Sequence, residues 1–174
     1  GILMMSRQMR RLVENLLDLA RMDQGFAKQH FESIEFSQLT RDTVMGFEAL
    51  YFERERILSE EIEDGIKIKG SRQHLQQVLD ILWENAQKYS LPHSEVLATL
   101  RSVYSHHCLL SVASIGEPIP EVDLKKIFQR FYRVNPSRSR DGSYGLGLSI
   151  AEQVVRDHKG KIWAESQNGI NRFF

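Results

Sequence analysis

A chain of 174 residues can hold one domain with a real hydrophobic core, plus an appendage. Its 23 basic and 23 acidic residues include no basic tract, so nothing favours nucleic acid or an anionic membrane surface as partner. The single Cys108 excludes an internal disulfide and fits a reducing compartment. No apolar run of about 18 residues and no signal peptide occur, so the piece is expected to be soluble.

From Ile2 to about Gln24 the chain reads as one helix. Met5, Met9, Leu12, Leu16 and Leu19 step by four, three, four and three, a heptad seam that Val13, Leu17 and Ala20 widen into a bundle-forming stripe. Such a stripe needs a partner helix. Gly25 ends it. His30–Phe36 alternates weakly and is expected to form a short strand. Ser37 is placed to cap a helix over Gln38–Tyr51, with Leu39, Val44, Phe47 and Leu50 inward. Ile57–Ile62 and Ile66–Lys69 read as two strands turning at Glu63-Asp64-Gly65. Ser71 is placed to cap the next helix.

That helix, Leu75–Ser90, carries two faces. Leu75, Val78, Leu79, Leu82 and Ala86 form a buried one, and Ile81, Glu84, Asn85 and Lys88 form a polar ridge beside it. An amide oxygen suits a hard divalent cation, and an ammonium suits phosphate. Glu95–Val103 and Cys108–Ala113 are expected to form a hairpin turning at Ser105-His106-His107. Leu124–Phe131 has the pattern of a short amphipathic helix, and Asn135–Tyr144 that of a polar, mobile loop. Gly142, Gly145 and Gly147 then lead into the apolar helical pattern of Leu148, Ala151, Val154 and Val155. Glycines at a helix start let backbone amides approach an anion. Lys161–Glu165 is expected as a strand, and Phe173–Phe174 as the start of a last one cut short. The fold class expected is α+β: a two-layer sandwich of helices on a mixed, mainly antiparallel sheet, preceded by a long bundle-forming helix.

Four segments in order, ENAQKYS at Glu84–Ser90, SIGEPIP at Ser114–Pro120, IFQRFYRV at Ile127–Val134 and GSYGLGL at Gly142–Leu148, resemble the N, G1, F and G2 boxes of bacterial sensor histidine kinases. Their ATP-binding catalytic domain shares the Bergerat-type fold of gyrase, Hsp90 and MutL ATPases. The resemblance implies residues 1–26 as the second helix of a dimerisation and phosphotransfer domain, and residues 27–174 as a catalytic domain truncated at its C-terminal end. It implies ATP and Mg²⁺ as cofactors. The implied partners are an upstream phosphoacceptor helix, a response-regulator receiver domain and a second copy through the N-terminal helix. A cytoplasmic location is implied too, with any membrane anchor upstream. None of His30, His74, His93, His106, His107 and His158 has the surroundings of the phosphoacceptor, so each is read as an ordinary histidine and autophosphorylation of the piece alone is not expected.

Carried over position by position, the resemblance makes Asn85 the Mg²⁺ ligand and Glu84 the acid that activates the accepting histidine. Lys88 would touch phosphate, Tyr89 would lie against the nucleotide, and Arg133 would reach the terminal phosphate. Ser114, Gly116 and Ile119 would lie by the adenine. Gly142, Gly145, Leu146, Gly147 and Leu148 would form the phosphate loop, with Gly145 and Gly147 framing the phosphates. Phe128 and Phe131 are expected as core anchors, and Arg138 and Arg140 as solvated loop charge. Three positions depart from the family pattern. Ser114 stands where an aspartate reads adenine, Pro118 where a second glycine falls, and Ile81 where a first asparagine falls. A neutral hydroxyl is a weaker acceptor than a carboxylate, so nucleotide affinity is expected to be reduced by about 1–2 kcal/mol. The same departures leave open a kinase-like regulatory or dimerisation module with weak nucleotide binding. A conformational ATPase of the gyrase or Hsp90 kind is disfavoured by the kinase-type F box and the N-terminal heptads.

Overall fold

The protein, seen in a computed structural model, is described over residues 1–23, 31–104, 106–135 and 144–174. The N-terminal helix α1 (Ile2–Asp23) forms as its periodicity requires. Its seam is buried at one end only. Leu19 is 3% exposed, whereas Met5 and Met9 are 64% and 62% exposed. The strand expected at His30–Phe36 is β1 (Glu32–Glu35), with His30 outside the described residues.

Helix α2 (Phe36–Glu53) starts before Ser37, and that serine is no cap. Its hydroxyl donates to the Glu63 carbonyl at 2.6 Å and accepts the Ile66 N–H at 3.0 Å. The helix start thus clasps the Glu63–Gly65 turn. The two strands expected on either side of this turn are both present, but they do not pair with each other. Strand β2 (Ile57–Ile62) runs parallel to β4 (Glu95–Tyr104), and β3 (Lys67–Gly70) pairs antiparallel with β1. A parallel pair needs a crossover, and α3 (Arg72–Tyr89) supplies it. Ser71 occupies the N-cap of α3 but makes no side-chain cap; its carbonyl takes the Leu75 N–H at 2.9 Å.

Strand β4 turns back into β5 (His107–Ile115), as expected, and the main sheet has the order β2-β4-β5-β7-β6. Every pairing after β2–β4 is antiparallel. The last two strands, β6 (Ala164–Gln167) and β7 (Ile170–Phe173), are a hairpin turning at Asn168-Gly169. Both turn residues have positive φ, 53° and 74°, as the primed two-residue turn demands. The strand expected at Lys161 therefore starts three residues later, and the one expected at Phe173 ends there. The helix expected at Leu124–Phe131 is a run of turns with a single 3₁₀ turn at Lys126–Phe128. Phe131 breaks it with φ 64° and lies 59% exposed, so only Phe128 anchors in the core. Helix α4 (Gly147–Asp157) follows the glycines.

Alternate residues of β4, Val96, Ala98 and Leu100, are fully buried against the helix layer. Trp83 of α3, wholly buried, donates its indole N–H to Thr43 Oγ1 at 3.0 Å, and the Tyr51 hydroxyl donates to the Trp83 carbonyl at 2.8 Å. Burial pushes the Tyr51 phenol well above its ordinary range. Replacing this indole by a methyl leaves a cavity too large to collapse. Trp83→Ala should cost about 3–5 kcal/mol in urea unfolding. Thr43→Val, which strands the indole N–H, should cost about 1–3 kcal/mol by the same measurement.

Candidate functional site

The buried face of α3 (Leu75, Val78, Leu79, Leu82, Trp83, Ala86) leaves the Ile81–Lys88 ridge outside the core. Asn85 and Ile81 are half-buried, while Glu84, Lys88 and Tyr89 are exposed. Gly147, the first residue of α4, sits directly on this ridge. A Cβ added to it would lie 3.3 Å from Ile81 Cγ2, one helical turn from Asn85. The two segments that the sequence singles out are thus neighbours.

The end of α3 is fastened to the G1 loop. Ser90 and Gly116 form an antiparallel bridge, and the Leu91 N–H donates to the Ile115 carbonyl at 2.8 Å. Gly116 is required there, because a Cβ would stand 2.5 Å from the Tyr89 carbonyl oxygen. Beyond Gly116 the loop is held by side chains of the last hairpin. The Ile119 N–H donates to Ser166 Oγ at 2.9 Å, Ser166 donates to Asn171 Oδ1 at 2.6 Å, and Asn171 Nδ2 donates to the Glu117 carbonyl at 2.9 Å. Ser114, Asn171 and Ser166 lie opposite one another across β5, β7 and β6. Ser114 and Asn171 are both buried, on the face that also buries Val112 and Phe173. Where the family pattern has a carboxylate, these strands carry a row of neutral polar groups.

The F box meets the G2 box through the backbone. The Phe131 N–H donates to the Gly145 carbonyl at 2.9 Å, and the Tyr132 hydroxyl donates to Asp123. That bond raises the Tyr132 phenol above its usual range. Gly145 has φ 70°, and a Cβ on it would be 2.7 Å from the Tyr132 carbonyl, so both conformation and space demand glycine. Arg133 is half-buried, with Nη2 covered. Leu146 is 1% exposed and Leu148 half-buried, so these two act as anchors for the start of α4. Gly142, Arg138 and Arg140 lie outside the described residues. Helix α4 has no side-chain N-cap; its Ile150 N–H is taken by the Leu146 carbonyl at 3.1 Å, which leaves the amides of Gly147, Leu148 and Ser149 outside the helical ladder.

Helix α1 packs against α4 and reaches the ridge of α3 through side chains. Gln77 Nε2 donates to Asp18 Oδ2 at 3.1 Å, and Arg11 approaches Glu84 at 3.8 Å. Both pairs are spaced by seven residues on each helix, so α1 lies antiparallel along α3. The Arg11–Glu84 pair is exposed and adds little stability. Burial, with the Glu84 charge second, raises the Asp80 carboxyl above its usual range. A cavity of about 440 Å³ lies between the F-box loop and the far side of α4, beside Phe128, Ser149 and Gln153; Asn85 and Lys88 do not line it.

The residues gathered here fit a nucleotide with its metal. Among the described residues no three His, Cys, Asp or Glu side chains come together to hold a metal by themselves. Asn85 offers one neutral oxygen, which suits an ion that takes its other ligands from phosphate and water. The uncapped start of α4, with bare Gly145 and Gly147, suits the phosphates. Asn171 and Ser166 were missed in the sequence. The Asn168-Gly169 dipeptide was the signal that would have placed them in a hairpin.

Residues 70–174 match the family described as histidine kinase-, DNA gyrase B-, and HSP90-like ATPase. The chain is 33% identical over 159 residues to the sensor protein DltS of Streptococcus agalactiae serotype III (strain NEM316), covering 91% of this chain and 40% of that protein. To the sensor protein CiaH of Streptococcus pneumoniae serotype 4 (strain ATCC BAA-334 / TIGR4) it is 37% identical over 161 residues, covering 90% and 35%. The catalytic domain of histidine kinase ThkA superposes with a TM-score of 0.73 at 26% identity, over 83% of this chain and 93% of that one. The chain therefore spans less than half the length of these curated relatives. Among the described residues no helix is long and apolar enough to cross a membrane. With its helices on a mixed sheet, its uncapped glycine-led helix and its asparagine ridge, the chain belongs to the histidine kinase-, DNA gyrase B- and HSP90-like ATPases.

Proposed function

We propose that the chain is the ATP-binding catalytic region of a two-component sensor histidine kinase. In this reading it moves the γ-phosphoryl of ATP to a histidine on a helix outside this sequence, from which a response-regulator receiver domain takes it. The observation that carries the proposal is the seating of Gly147 on Ile81, one turn from Asn85. It sets the amide-bearing start of α4 beside the only side-chain oxygen on the ridge that is both neutral and half-buried.

Each residue then has a role that its chemistry allows. Asn85 holds Mg²⁺ through its carboxamide oxygen, and Lys88 attracts the phosphates. Bound Mg²⁺ supplies charge that offsets the phosphate oxygens during transfer. The amides at the start of α4, approached past Gly145 and Gly147, hold the phosphates, and Arg133 stabilises charge on the terminal one. Glu84, exposed at the edge of the ridge, takes a proton from, or polarises, the accepting imidazole. Tyr89, Ser114, Gly116 and Ile119 border the base. Helix α1 belongs to the dimerisation and phosphotransfer domain, its exposed Met5 and Met9 facing the helices of that bundle and of a second copy. The whole protein is placed at the cytoplasmic side of a membrane, anchored by a segment outside this sequence.

A second reading, a regulatory module that holds nucleotide poorly, is favoured by one observation. The row Ser114–Asn171–Ser166 offers the base no carboxylate. Calorimetry separates the two. Asn85→Ala should weaken Mg²⁺-dependent ATP binding at least tenfold with unfolding unchanged; equal affinities would refute the assigned ligand. Ser114→Asp should tighten ATP binding by a factor corresponding to about 1–2 kcal/mol, from a charge-assisted bond in place of a neutral one. When a separate dimerisation domain bearing its histidine is supplied, the chain should phosphorylate it in trans. ATP binding without any transfer would instead favour the regulatory module.

A further inference from the structure

His158, the C-cap of α4, has no part in the chemistry above, yet its ring is held from every side. Nε2 accepts the Ser71 N–H at 3.0 Å, Nδ1 lies 2.7 Å from the Val154 carbonyl oxygen, and the ring stacks on Phe31 with centroids 4.7 Å apart. A Cβ on Gly70 would stand 2.5 Å from the His158 ring, so the imidazole rests on bare backbone. The partners assign the tautomer. An amide N–H only donates and a carbonyl only accepts, so Nδ1 carries the hydrogen and Nε2 is the acceptor. The ring in this arrangement is neutral.

The clamp lies at the far end of the helix pair that frames the nucleotide site. Gly147 meets Ile81 at one end, and His158 meets Ser71 at the other. The stretches Ser71–Ile81 of α3 and Gly147–His158 of α4 measure about 15 Å and about 16 Å at the helical rise per residue, so the helices run antiparallel between two attachment points of nearly equal spacing. The near point is a van der Waals contact against glycine, which by itself permits sliding. The far point is directional. We infer that His158 is a positioning residue for the nucleotide site, its neutral ring fixing the start of α4 against the Asn85 ridge by pinning the other end of that helix to Ser71. The inference rests on the nucleotide reading above.

Protonation removes the acceptor. A hydrogen on Nε2 would face the Ser71 N–H, donor against donor, and the clamp would open. Its neighbour His74, from α3, is acted on in turn by Asp157 of α4 and Asp18 of α1, and Phe31 and the Gly70 backbone lie on the His158 ring faces. Burial, and then the nearness of His158, hold the His74 imidazole below its usual range, while Asp18 and Asp157 pull it up. The pocket therefore disfavours charge on His74 beside His158.

Two variants and a pH series test the assignment with a fluorescent ATP analogue and Mg²⁺. A glutamine can accept from Ser71 through its oxygen and donate to Val154 through its nitrogen; a leucine fills the space and does neither. His158→Gln should bind the analogue about as tightly as the unaltered chain, and His158→Leu about tenfold more weakly. As the pH is lowered the unaltered chain should lose affinity relative to His158→Gln, in step with the NMR shift of the Ser71 amide. Ionisation of the nucleotide affects both proteins alike and cancels in the comparison. A folded His158→Leu with full affinity, or parallel pH profiles for the other two, overturns the inference. Should His158→Leu fail to fold, the pH comparison decides alone. An unaltered chain that binds no nucleotide at pH 8 overturns the functional reading, and the positioning role with it; binding that ignores His158 overturns the positioning role only.

Discussion

The burial of Trp83 against the sheet fixes how α3 is rotated, and the candidate site follows from that rotation. With the indole wholly enclosed and bonded to Thr43, and Tyr51 capping the same turn through the Trp83 carbonyl, the helix cannot roll without breaking buried polar pairs. Its remaining side, Ile81 to Lys88, must then face α4 and the open edge of the fold. Helix α3 is also where the other segments attach. Its N-terminus meets His158, its middle meets Gly147, its end bridges to Gly116, and α1 lies along its flank. A packing decision in the core is transmitted in this way to backbone groups at the surface, without any side chain of the site bearing the load itself.

The polar wall at Ser114 illustrates how one residue can set local chemistry without setting the fold. Ser114 occupies a strand position whose neighbours across the sheet are Asn171 and Ser166, and their mutual bonds hold the loop at Glu117–Ile119. That loop is ordered by the final hairpin and not by a charge at position 114. A neutral hydroxyl can stand there at no cost to loop geometry. The cost falls instead on how strongly the wall attracts a hydrogen-bond donor.

Elements with an uninterrupted period were legible in the sequence. The helices α1, α3 and α4 and the β4–β5 hairpin fall where apolar spacing puts them, and the motif glycines among the described residues, 116, 145 and 147, each stand where space or φ excludes a side chain or nearly so. What was not legible depends on distant partners. Ser37 and Ser71 have the residue type of helix caps, but one clasps a turn and the other gives its N–H to a histidine 87 residues away. The parallel pairing of β2 with β4 follows from that clasp and not from either strand's own pattern. In the F box the apolar spacing mimics a helix. Phe131 adopts positive φ because its N–H is claimed by Gly145, and a helix cannot continue through it. The final hairpin was readable from Asn168-Gly169, and the polar Ser166 and Asn171 obscured it by looking like solvent-facing residues.

The bond from Phe131 to Gly145 closes a ring in the chain. Whatever lies between those two residues starts and ends at one fixed place. For a ring already closed, lengthening the enclosed segment adds only a logarithmic entropy term, about 0.6 kcal/mol for each doubling. Insertions and deletions inside the ring are accordingly cheap for the rest of the fold, whereas a side chain in place of Gly145 is expensive. Evolution is left with a segment whose length and composition it can rewrite at little risk to the domain that carries it.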